Sequence, residues 1–307
     1  MLVIINSILP VFLLVLLGWL CTRSGLFSKD QSATLNNYAY YIALPVLIFQ
    51  SLSKVELSHL LSSKFVLVNI VAVVLVVCLV YGFGLIFRLK KKSLGMLTVA
   101  CFLGNVAFIG IPFNLLLFGQ EGSVLSSLNA AVVTLIASTL GIYLIEDNKN
   151  SLTSLKNKLF FLKQIIFKPI VLAVLVSLVF SLFKINLPSS LEKVLEIIAA
   201  STAAVSLFAV GIFIYGNSLK EKLSLTLLLS FGSLILMPLI AWIVTLFLPL
   251  NKMETAVTIL QAGMPLATMN FIFAHQFHIE EKLIANTILV STVLSAITLP
   301  ILVWLLV

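Results

Sequence analysis

Apolar runs of roughly twenty residues recur along the whole chain, and each is long enough to cross the ~30 Å hydrocarbon core of a bilayer as one helix. Ten are delimited, at 3–22, 33–53, 65–88, 94–118, 124–146, 169–186, 191–215, 223–248, 253–276 and 282–306. Composition agrees with that reading. Hydrophobic residues make up 61% of the 307 and charged residues 10%, whereas a soluble domain carries about 45–50% and 25%. The expectation is an all-α integral membrane protein of ten transmembrane helices. Residues 1–20 lack a basic leader and a small-residue cleavage site, so they read as a retained first span and not a signal peptide.

The net charge of +8 does not call for a nucleic-acid partner, because the basic residues sit in short clusters between apolar runs. Loops after spans 1, 3, 5, 7 and 9 carry most of them, including Arg88, Lys90, Lys91 and Lys92; the other side holds only Lys54, Lys64, Lys184, Lys193 and Lys252. The positive-inside rule places the richer side in the cytoplasm and both termini outside a cell (plasma) membrane. Cys21, Cys78 and Cys101 are odd in number and lack metal-ligand spacing, so they read as small hydrophobes. Neither a metal nor a cofactor is expected.

Five spans precede the central link and five follow it. An odd number forces the second half to enter from the opposite face, which gives an inverted repeat: 1–147, a cytoplasmic link at 148–168, and 169–307. The halves also match at their fourth spans. "GNVAFIGIP" (Gly104 to Pro112) in span 4 corresponds to "AGMPLATMN" (Ala262 to Asn270) in span 9, and both put Gly, Pro and Asn at mid-membrane depth. Proline removes a backbone donor and glycine adds freedom, so both helices are expected to break there. An unwound backbone survives in a bilayer only when buried in protein or lining a cavity. Interrupted helices at corresponding places in two inverted halves point to a transporter's central site. Where they cross, the half-helix N-termini supply roughly half a positive charge each, which suits a carboxylate.

The stretches "NYAYYIALPVLIFQSLS", "GNVAFIGIP", "FAVGIFIYG", "AGMPLATMNFIFAHQF" and "ANTILVSTVLSAITLPIL" resemble the auxin efflux carrier family, including its bacterial malate and malonate permease-like members. The resemblance covers essentially the whole chain. It implies ten spans in two inverted five-helix repeats with broken crossover helices in spans 4 and 9. A scaffold of spans 1, 2, 6 and 7 and a moving transport domain of spans 3–5 and 8–10 are also implied, as is a homodimer through the scaffold. The family's span-4 asparagine and crossover proline match Asn105 and Pro112, and the span-9 proline matches Pro265. Asn270 stands where bacterial members carry asparagine and plant members proline, which argues against indole acetate as the substrate.

Asn105 and Asn270 are the expected polar contacts to the ligand, aided by backbone amides following Gly104 and Gly263; Gln261 and Thr268, with Asn129 and Thr134 in span 5, are further candidates to line the cavity. An acid at mid-membrane would mark a cation relay, and none of the eleven Asp and Glu falls there. Transport is therefore expected to need no tightly bound cation. Glu196 in span 7, His275 at the end of span 9 and the Pro45 bend in span 2 remain as coupling or gating candidates. The leading expectation is a secondary transporter of small organic anions, carboxylates above all, working by elevator-type alternating access. Its rivals are a transporter-like receptor or sensor that binds without translocating, and a channel. An enzyme is not expected, because no His/Asp/Glu cluster or Ser/Lys pair lies within any span.

Overall fold

The computed structural model describes residues 2–53, 63–145, 167–216 and 222–307. Among these every regular element is a helix. The expected link at 148–168 lies outside the described residues except for Phe167 and Lys168. In chain order the helices are α1 (Leu2–Arg23), α2 (Gln31–Tyr38), α3 (Leu44–Ser53), α4 (Ser63–Ile86), α5 (Lys91–Phe102), α6 (Ile111–Ile136) and α7 (Ile142–Ile145). There follow α8 (Pro169–Leu182), α9 (Ser189–Ile214), α10 (Leu223–Phe231), α11 (Met237–Phe247), α12 (Lys252–Ala262), α13 (Met269–Phe277) and α14 (Glu281–Leu306).

Five of the described helical runs are long and apolar enough to cross a membrane: Lys64–Ile86, Val106–Ile145, Ser189–Ile214, Leu223–Phe247 and Glu281–Leu306. The third of these begins within two residues of its apolar run, whereas the second joins the end of expected span 4 to span 5 in one helical run kinked at Gly119, and α8 ends four residues before its expected span does. Local chemistry explains several of the ends. Pro169 opens α8, where its missing N–H costs nothing. Asn251 and Glu254 form a reciprocal capping box at the start of α12. Gly119, at φ 67° and ψ −151°, interrupts α6 in a conformation that a side chain resists.

Outward-facing side chains are apolar. Along α1, Leu9, Leu13, Leu16, Leu17 and Leu20 are all about half exposed, a helical stripe that belongs in lipid, not water. The chain is a multi-pass membrane protein.

Prolines leave a repeated signature. Four π turns occur among the described residues; the one at Ala137–Gly141 has no proline after it, and the other three lie at Ala39–Ala43, Val106–Gly110 and Gly232–Leu236. In each of these three a proline follows at the second residue beyond: Pro45, Pro112 and Pro238. A proline ring clashes with the carbonyl four residues back, and that carbonyl lies inside the π turn every time; widening relieves the clash without breaking the helix.

Pro112 therefore departs from expectation. Only Leu103, Gly104 and Asn105 leave the helix in the first half, and Pro112 sits within the resumed α6. Its missing N–H is absorbed by the π turn, and the Phe108 carbonyl opposite its ring accepts a 3.0 Å hydrogen bond from Ser206 Oγ. In the second half the interruption runs from Gly263 to Thr268 and does contain its proline, Pro265.

Packing sorts the helices into two sets. α9 lies against α1, α2 and α3, and α3 lies against α8. In the second set α4 packs on α5 and α11, α12 on α6, α11 and α14, and α10 on α14. α1, α3 and α8 meet the second set mainly at α6.

Candidate functional site

The two interruptions meet as a short antiparallel pair. Gly104 and Leu266 form an isolated β-bridge. Asn105 N donates to Pro265 O at 2.6 Å, and Ala267 N to Leu103 O at 3.0 Å. Each break thus supplies the hydrogen bonds the other lost, which is how non-helical backbone is made tolerable away from water. Gly104 is required by this closeness, since a Cβ there would lie 3.0 Å from Met264 O.

Neighbouring hydroxyls finish the satisfaction. Ser233 Oγ donates to Met264 O at 3.1 Å, and Leu266 N donates to Ser291 Oγ at 3.0 Å. Asn270, fully buried, donates through Nδ2 to Leu103 O at 2.9 Å and to Ala267 O at 3.1 Å. Its amide ties one break to the other.

Asn105 behaves differently. It is the N-cap residue of the resumed first helix, and Thr268 is the N-cap residue of α13; neither side chain makes a capping hydrogen bond. Asparagine and threonine at such positions ordinarily accept from the first free N–H groups. Here both half-helices begin with a capping side chain that is not engaged, and local carbonyls take part of its place: Val106 N donates to Gly104 O, Asn270 N to Ala267 O and Phe271 N to Thr268 O, while the positive dipole ends stay without a side-chain cap. Residues 93–120 and 255–279 contain no Lys, Arg, Asp or Glu. The local field is supplied by dipoles and neutral amides, an arrangement suited to a small anion.

Other expected residues fall less centrally. Gly263 is pressed against Leu302, where a Cβ would overlap Cδ1. Gln261 is 1% exposed and donates through Nε2 to Ser126 O at 3.4 Å, with its side chain against Gly110. Asn129 donates to Asn69 Oδ1 at 2.6 Å, and Thr134 O accepts from Ser138 Oγ at 2.6 Å. Glu196 is exposed on α9, ten residues before Ser206 and therefore ~15 Å along the helix from the Phe108 contact. His275 is exposed at the end of α13, stacked on Phe271 and bonded to Glu281. Pro45 lines an apolar groove between α3, α8 and α9.

Sequence reasoning missed Ser206, Ser233, Ser291 and Asn69. Ser206, Ser233 and Asn69 are single polar residues between apolar neighbours and Ser291 is followed by Thr292; only the position of the opposing helix distinguishes them.

The sequence model of the family described as "Membrane transport protein" matches residues 3–303. An uncharacterized transporter of Methanocaldococcus jannaschii is 28% identical over 98% of both chains. A Rhizobium meliloti protein named "Putative malonate transporter" is 24% identical, covering 96% of this chain and 93% of its own. Auxin efflux carrier component 8 of Arabidopsis thaliana is 21% identical over 93% of this chain and 92% of its own.

Proposed function

Because the chain belongs to the membrane transport protein family that includes the auxin efflux carriers, we propose that it is a secondary transporter of small organic anions, carboxylates in particular. The anion binds where the two interruptions cross. The observation that carries this reading is the pair of disengaged N-cap side chains, Asn105 and Thr268, at the starts of two half-helices whose own sequences hold no Lys, Arg, Asp or Glu. Uncapped helix N-termini attract a negative charge and supply N–H groups to it. The name of the Rhizobium relative supports a short carboxylate.

In this reading the helices form ten spans in two inverted repeats, with both termini outside the cell membrane and the Arg88 to Lys92 cluster inside. α1, α2, α3, α8 and α9 act as scaffold, also the surface of a homodimer, and the remaining helices move against them as an elevator. The two packing sets support that division. So does the sparse polar contact between them, which among the described residues includes Ser206 on Phe108 O and a 2.8 Å bond between the Ser51 and Ser123 hydroxyls.

The test is a thermal-shift screen of purified protein against mono- and dicarboxylates, followed by uptake of the stabilising compound into proteoliposomes. Stabilisation with accumulation is the expected result. Stabilisation without any movement would favour the receptor reading, and no stabilisation by any carboxylate would overturn the anion assignment.

A further inference from the structure

Lys168 carries a positive charge to the join between the two packing sets. It is the N-cap residue of α8, and Pro169 after it confines its backbone to the extended region in which it is found, at φ −65° and ψ 133°. Its Nζ lies 5.9 Å from the ring centroid of Phe273 on α13. Lys168 thus reaches from the first set to the helix that follows the second interruption.

Three things oppose a charge there. The residue is half-buried, and burial pulls its pKa below the usual lysine value. It stands at the N-terminus of α8, where the helix dipole is positive as well. Among the described residues no carboxylate pairs with it. What favours the charge is the face of one aromatic ring, close to the ~6 Å limit at which such contacts are felt, and a ring is a weaker partner for an ammonium than a carboxylate is. A lysine at the end of a span ordinarily snorkels toward the headgroups, but this one lies over a ring that is 4% exposed. Packing on Phe273 does not need the charge; an arriving anion does.

The position lies next to the candidate site. Phe273 is one turn beyond Asn270 on the same face of α13, ~4.5 Å along the axis, and ~7.5 Å beyond the N-cap residue Thr268. In the topology proposed above, the end of α13 and the start of α8 are both cytoplasmic. We propose that Lys168 is the capture residue for the transported anion on the cytoplasmic face: its ammonium leaves the Phe273 ring to pair with the carboxylate and delivers it to the helix starts at Asn105 and Thr268. The neighbouring contact across the join, Phe271 on Phe213 with centroids 5.5 Å apart, brings no competing charge. Because Lys168 belongs to the scaffold, it stays behind when the crossing moves, and its effect is confined to one face. This inference rests on the anion reading above.

The experiment is uptake of radiolabelled malonate and acetate by inside-out and right-side-out membrane vesicles holding the full chain. Lys168→Gln is expected to raise the malonate KM about fivefold in inside-out vesicles, where the cytoplasmic face meets the probe, and the acetate KM by less, because a monoanion gains less from one fixed charge. KM in right-side-out vesicles, kcat and the ligand-free Tm should stay near wild type, and Lys168→Arg should restore KM. The wild-type inside-out KM should also rise with ionic strength while that of Lys168→Gln does not; the wild-type salt response decides alone if the variant does not fold. An unchanged KM, or an equal rise on both faces, would overturn the proposal. A KM that follows the anionic lipid content of the vesicles, and not the charge of the probe, would overturn it in favour of a lipid phosphate. Failure of every carboxylate to stabilise wild type in the thermal-shift screen removes the anion reading and this one together, whereas an unaltered Lys168→Gln KM removes this one alone.

Discussion

At the scale of the residue, the two asparagines that look alike in sequence do different work. Asn270 spends both amide hydrogens on backbone carbonyls of the two breaks, while Asn105 leaves its side chain disengaged at a helix start. Asn270→Ala is expected to cost about 1–3 kcal/mol of stability, because buried acceptors lose their donor, and to lower the ligand-free Tm. Asn105→Ala should leave the ligand-free Tm nearly unchanged. It should weaken carboxylate binding roughly 5–150-fold, the equivalent of about 1–3 kcal/mol, as read from the ligand dependence of Tm. Equal losses of ligand-free stability from both substitutions would remove the distinction. The pairing of Asn105 with Asn270 was legible from the matched motifs. Which one ties the two breaks together was not, since it depends on the antiparallel register of Leu103–Asn105 against Pro265–Ala267.

At the scale of the element, helix breaks and close crossings follow from missing atoms. A proline removes a hydrogen, the helix widens by one residue, and a carbonyl is freed for a hydroxyl from elsewhere. Ser206→Ala is expected to destabilise by about 1–2 kcal/mol through the Phe108 carbonyl it abandons, a loss that Ser206→Thr should largely restore. Glycine acts through its missing Cβ where α1 crosses α9. A Cβ on Gly18 would overlap the Phe208 carbonyl, and one on Gly211 would overlap the Val15 carbonyl and sit 3.0 Å from the Cα of Gly18. Gly211→Val should therefore force the helices apart, lowering Tm by the equivalent of several kcal/mol. Gly82→Ala meets open space in α4 and should be neutral or stabilising by up to about 1 kcal/mol. Similar losses at the two sites would show that backbone freedom, not close approach, decides. The sequence does not reveal this contact, because each helix contributes a single glycine and the pair exists only in the crossing.

For the whole molecule, the consequences concern orientation and movement. With Cys21, Cys78 and Cys101 replaced by serine or alanine, a cysteine at Lys91 should resist an impermeant maleimide applied to intact cells, whereas one at Lys184 should react. The reverse pattern would invert the topology drawn from the positive charges. The Ser51 and Ser123 hydroxyls, 2.8 Å apart, join the two packing sets. Ser51→Cys with Ser123→Cys should therefore form a disulfide that stops uptake until a reductant is added. Undiminished uptake through a fully cross-linked protein would remove sliding between the sets from the mechanism.

Sequence by itself determined the membrane class, the positions of the helices and the two places where helix gives way, because these follow from hydropathy, chain length and the covalent limits of glycine and proline. It also pointed to Asn105 and Asn270. Tertiary structure decided how narrow the first interruption is, that Pro112 is accommodated by a π turn, and that Asn129 and Gln261 donate to Asn69 Oδ1 and Ser126 O. Those outcomes rest on which carbonyl or hydroxyl arrives from another helix. Hydrogen bonds between residues over a hundred positions apart, such as Asn270 to Leu103, leave no trace in local pattern.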